Sequence, residues 1–123
     1  MPRRSVRFSA VLPLLAQNAA WRLTGARSAG RALVRALSSD DATTRTTAGM
    51  LLVRAGPRSM PLLREALAAR SALPMVLPIL ADIGDQESRP TLSAFTRDTD
   101  AAVAGAAREA LRVLDARAAQ RRS

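Results

Sequence analysis

Three arginines fall four residues apart at Arg27, Arg31 and Arg35, a spacing that lines guanidinium groups along one face of a helix. Such a stripe suits phosphates or carboxylates, because each guanidinium presents five donors in a planar fork. The same pattern is also that of an ordinary solvated face in an arginine-rich chain. A second group is acidic: Asp82, Asp85 and Glu87 crowd a helix end and the turn after it. They lack the ligand spacing of a calcium loop, so capping and dipole roles are expected of them rather than metal binding. Trp21, the sole tryptophan, reads either as an anchor of the first helical hairpin or as an interface residue of the kind enriched at binding hot spots.

The residue types that are missing narrow the chemistry further. There is no cysteine and no histidine, which removes disulfides, thiol chemistry, Ser-His and Cys-His nucleophile systems, and histidine-based zinc sites. A hydrolase working through carboxylates alone needs two of them in one cleft, and nothing groups the acids of this chain in that way. Glycine-rich phosphate loops are absent. No catalytic residue, cofactor, metal or small-molecule substrate is therefore inferred, and the protein is read as a non-enzyme. Nucleic-acid binding is the weaker of two binding readings. Single-strand binders interleave aromatics with cations, whereas only Trp21 could serve here, and no recognition motif is visible.

Charge is distributed unevenly. All 19 cations are arginine and the formal charge is +9. Arginine in place of lysine, with abundant alanine, fits a GC-rich genome, but that bias does not explain where the charge sits. Residues 1–70 carry 12 arginines against Asp40, Asp41 and Glu65, whereas residues 71–123 carry seven of each sign. A basic half of this kind could meet an acidic protein surface or a polyanion.

The elements that must hold these residues are helices. Aromatics are limited to Trp21, Phe8 and Phe95, and neither β-branched runs nor Asn-Gly-type hairpin turns occur, so the fold class is all-α. At 123 residues one domain is expected. The segment from Asp41 to Pro57 shows the grammar most clearly. An aspartate caps it, Ala48, Leu51, Leu52 and Ala55 form its apolar stripe, and Gly56-Pro57 stops it. Further helices are predicted over about Ala10–Leu23 (ended by Gly25), Ser28–Leu37, from a Ser59 cap through Leu67, from a Ser71 cap to Gly84, and over Glu87–Phe95. A long last helix begins at the Asp98–Asp100 cap. Pro78 should kink the fifth by removing a hydrogen bond, at a cost of ~3 kcal/mol in an isolated helix.

The first residues superficially suggest a secretory leader, but the apolar run Val11–Ala16 is short, contains Pro13, and leads to no clean cleavage site. A structural first helix and a cytoplasmic location are preferred, with a basic arm over 1–9 and a basic helix end over 116–123. No stretch approaches the ~20 apolar residues of a membrane span.

Three turn-and-helix segments, beginning at Gly25, Gly56 and Gly84, superimpose on Leu33, Leu63 and Leu92, at steps of 30 and 29 residues. Asp41, Thr44, Ala48 and Leu52 likewise fall on Asp100, Val103, Ala107 and Leu111. A period near 30 residues built from two helices marks an α-solenoid, in which no repeat buries its own face unaided. The spacing of Asp41, Arg45, Ala48, Leu52 and Gly56 resembles the HEAT-like repeat, in the short form first noted in phycobilin lyases. The resemblance covers roughly residues 10–115 as three to four repeats. The Asp–Arg ladder of that family is matched once at most, because Leu73 and Ala104 take the Arg45 position.

That resemblance implies an armadillo-like solenoid whose second helices line a concave wall, with Arg27, Arg31 and Arg35 there beside Arg58 and Arg64. With the basic first half as its contact surface, such an array is read as a scaffold that binds another protein, a polyanion being the alternative ligand. Helix 1 is apolar most of the way round through Val11, Leu12, Leu14 and Leu15, so this end is expected to dock onto a second copy or a larger subunit.

Overall fold

The computed structural model describes residues 13–19, Trp21 and 27–122. The basic arm, Val11, Leu12, both ends of the predicted first helix and its Gly25 terminator lie outside the described residues. Within them every regular element is helical and none is a strand. The chain divides between Ser71 and Ala72 into two compact units.

The first unit holds α1 (residues 13–19), α2 (Arg27–Ala36), α3 (Ala42–Ala55) and α4 (Met60–Ala68). Helix α3 begins as its sequence dictates. Asp41 is extended, and its Oδ2 accepts from the Thr44 amide at 3.0 Å and the Thr44 hydroxyl at 2.6 Å, satisfying one of the free N–H groups of a helix start. Ala48 and Leu52 are fully buried, while Leu51 and Ala55 are half-buried flanks. The helix stops at Gly56, whose φ of 59° lies where a side chain would be strained.

Ser59 does not cap α4. Residues Gly56–Ser59 form a 3₁₀ turn that runs straight into the helix, so Ser59 has helical dihedrals and no capping bond, whereas a cap needs extended ones. Its hydroxyl is buried instead and donates to the Leu52 carbonyl at 2.6 Å. The Gly56 amide bonds to Val53 rather than to Leu52, so Ser59 supplies the partner that the Leu52 carbonyl lacks at the end of α3.

Helix α4 closes with Arg70 left-handed at φ 53°. The Ser71 amide donates to the Ala66 carbonyl at 2.9 Å and the Arg70 amide to Leu67 at 3.1 Å. This is a Schellman closure with arginine in the seat usually given to glycine. Ser71 is thereby spent on ending α4 and does not cap the helix that follows. That helix starts from Ala72, also left-handed at φ 50°, with no side-chain cap.

The second unit holds α5 (Leu73–Ile83), α6 (Arg89–Phe95) and α7 (Ala101–Arg122). The predicted stripe of Leu73, Val76, Leu77 and Leu80 is buried, but so are Ile79 and Ala81, so α5 is apolar almost all round. The helix carries through Pro78. Gly84 ends it left-handed at φ 81°, again with a Schellman closure. Helix α6 begins later than predicted, after a 3₁₀ turn over Gln86–Ser88 in which Asp85 accepts from the Glu87 amide at 3.3 Å and from the Ser88 hydroxyl.

Asp98 accepts from the Asp100 amide at 3.0 Å, and Asp100 from the Ala102 amide at 2.9 Å, opening α7. That helix packs along both α5 and α6 through Val103, Ala107, Ala110 and Leu114, with Leu111 only half-buried at the edge of the stripe. Helix α7 continues through Arg122. A Cβ on Gly84 would lie 3.2 Å from the Arg121 Nη2 and 3.8 Å from the Arg117 Cδ. The Arg121 cation therefore sits beside the negative pole of α5 as well as at that of its own helix.

Candidate functional site

The arginine stripe rests on the amphipathicity of α2. Ala29, Gly30, Leu33 and Leu37 turn inward, while Arg31 and Arg35 remain exposed. Helix α2 packs on both α3 and α4, and Gly30 lets α4 come close. A Cβ at this position would meet the Leu62 Cδ1 at 2.6 Å and the Trp21 ring at 3.3 Å. Trp21 is accordingly interior, only 4% exposed. It anchors this joint and is not a surface that a partner could reach.

Above the joint an open groove of about 170 Å³ runs between α2 and α4. Val34, Leu62, Ala66 and Ala69 supply its apolar lining, and Ser71 also lines it. Arg31, Arg35 and Glu65 supply the charge. Arg31 crosses the groove as a fork, its Nε 3.0 Å and its Nη2 3.4 Å from the two oxygens of Glu65. Each partner is about half exposed, which limits such a pair to ~1 kcal/mol or less. Arg35 is exposed and makes no ion pair among the described residues.

Of the predicted contact residues, Arg31 and Arg35 are brought together here, and Arg27 opens the same helix. Arg58, in the 3₁₀ turn, and Arg64, on α4, are exposed on the same unit but do not line the groove. Glu65 was not singled out by the arginine spacing. When the repeats are superimposed on Leu33 and Leu63, Glu65 falls on Arg35. One helix thus carries an acid where its neighbour carries a base, and that correspondence was the available signal.

The acidic run of the second unit is structural where its bonds are defined. Asp85 caps, as described, and among the described residues no three His, Cys, Asp or Glu side chains gather as a metal site would require. Arg89 ties Asp115 to the Gln86 Oε1, the latter at 2.8 Å, fastening the α6 entry to α7. On the exposed flank of α7 the Arg112 guanidinium, bonded to Glu109, holds that carboxyl below its ordinary range.

No protein-family model, curated protein or solved structure matches this chain. Among the described residues no helix is long and apolar enough to cross a membrane.

Proposed function

We propose that the protein is a non-catalytic binding module, built of HEAT-like helical hairpins, that docks another protein through the basic face of its first unit. The observation that carries this reading is the groove between α2 and α4, where exposed arginines border an apolar lining in the half of the chain that holds all the excess charge. Apolar contact supplies affinity, and charge supplies steering and partner choice. A repeat architecture is supported within each unit. Leu33, Leu63 and Leu92 are all fully enclosed, and α2 lies beside α4 as α5 lies beside α7, as alternate helices do when hairpins stack.

The polyanion alternative loses its stacking ring, because Trp21 is interior. The N-terminal end remains the expected place for self-association or for docking on a larger subunit. On α1, Leu14 is buried, whereas Leu15 is 46% exposed.

Recovery of the protein from its native host at moderate salt, with identification of what co-purifies and reconstitution from purified components, tests the reading. Protein docking should survive a rise in salt. Duplex binding through about five arginines would instead weaken with a log–log slope near −4 to −5, and finding that slope would replace a protein partner with a nucleic acid. A monodisperse monomer with α1 well ordered in isolation would remove the N-terminal docking expectation.

A further inference from the structure

Arg31 already holds a carboxylate, and that carboxylate belongs to the chain itself. We infer that Glu65 is an internal stand-in for the partner: the groove accepts an acidic protein segment bearing one apolar side chain, and a partner carboxylate displaces Glu65 from Arg31. The inference rests on the protein-docking reading above and gives that reading a seat and a ligand chemistry.

Size sets the first limit. A groove of about 170 Å³ falls below the ~300–1,000 Å³ of small-molecule and cofactor sites, so it fits a side chain rather than a whole ligand. Its lining of Val34, Leu62, Ala66 and Ala69 calls for an apolar one. Charge sets the second. Arg35, with no acid of its own among the described residues, offers a vacant fork beside the groove, and a surplus of arginine surrounds it in sequence. The third argument is the Arg31–Glu65 fork itself. It is half exposed and therefore weak, so an incoming carboxylate can exchange with it at small cost. It also keeps the groove from presenting two bare cations to any passing anion, and so makes apolar complementarity necessary for tight binding.

The test uses a fluorescein-labelled twelve-residue peptide of repeated Glu-Leu-Glu-Glu, read by fluorescence anisotropy at low salt. Polyglutamate and a single-stranded oligonucleotide of matched charge are the comparison probes, and circular dichroism confirms that each variant keeps its helices. The expected result is that the Leu-bearing peptide binds more tightly than either comparison probe. Glu65→Gln should tighten it about two- to five-fold, and Arg35→Glu should weaken it roughly ten-fold or more. Arg58→Glu, the same charge change outside the groove, should leave affinity within about two-fold.

Four results overturn the inference. These are no binding of the peptide, an oligonucleotide or polyglutamate that binds as well, a Glu65→Gln variant that binds no better, or equal losses from Arg35→Glu and Arg58→Glu. The two readings fail separately. An identified host protein whose binding ignores Arg35→Glu leaves the docking module standing and removes the groove, whereas failure of every host protein to bind removes both.

Discussion

Single side chains account for several joints of this molecule, and Ser59 is the one most easily tested. Its hydroxyl is buried and is the partner of the Leu52 carbonyl. Ser59→Ala would strand that carbonyl away from water, at a cost of about 1–3 kcal/mol, visible as an earlier midpoint in urea unfolding. Arg70 and Ala72 bear the opposite kind of strain, since both are left-handed without being glycine. Ala72→Gly should raise stability by about 0.5–1 kcal/mol, the Cβ penalty removed exceeding the freedom added to the unfolded chain, and the urea midpoint should move up. Both features escaped the sequence reading for one reason. A serine before an apolar run looks like a helix cap, yet Ser59 and Ser71 are used, by hydroxyl and by amide, to finish the preceding helix. At the exposed pair on α7, Glu109 titrates below its ordinary value because Arg112 bonds the ionised form. The small stability this confers is present at neutral pH and fades as pH falls through the lowered folded-state pKa. An NMR titration should show a depressed midpoint for Glu109, and Arg112→Gln should return it to the usual glutamate range.

At the scale of elements, two glycines in helix interiors make a matched experiment. Alanine gains about 1 kcal/mol over glycine in a helix when nothing obstructs it. Gly105 in α7 has open space where a Cβ would go, so Gly105→Ala should stabilise by about 0.5–1 kcal/mol. Gly30 in α2 faces Leu62 at 2.6 Å and the Trp21 ring. There the same change must displace the buried Leu62 side chain beside the Trp21 ring, and overpacking at ~1–3 kcal/mol outweighs the propensity gain. Thermal melts of the two variants should shift in opposite directions. Helix existence was legible throughout the described chain, because 3.6-residue periodicity reports which face is buried. The aspartate-capped starts of α3 and α7 were legible too, but those of α4 and α6 were not, because both enter through 3₁₀ turns that keep the hydrogen-bonded spiral going and blur the cap. Pro78 illustrates the limit of local propensity, since α5 runs through it with both neighbouring faces buried.

For the whole molecule, the class and the helical order could be read from composition and spacing, whereas the division after Ser71 could not. Nothing in residues 68–74 resembles a linker. Arg70 and Ala72 at that point take a left-handed backbone conformation that their side chains do not advertise. The candidate site was half legible. Arg31 and Arg35 stood out by their spacing, but Glu65 is a single acid in a basic half, and its role depends on α2 and α4 lying side by side. The unequal charge of the two halves should also appear globally. Association through the first unit should quicken at low ionic strength and slow as salt screens it, measurable in stopped-flow encounter rates with any acidic partner.

Helix α5 is greasy on nearly every side, and much of its cover comes from α7. A protein cut short before Ala101 would display an eleven-residue oily rod to the surrounding water. Such a truncation should accumulate in inclusion bodies or on chaperones. The last helix thus covers what would otherwise be an adhesive surface, and affinity tags are better hung beyond Arg122 than substituted for the turns before it.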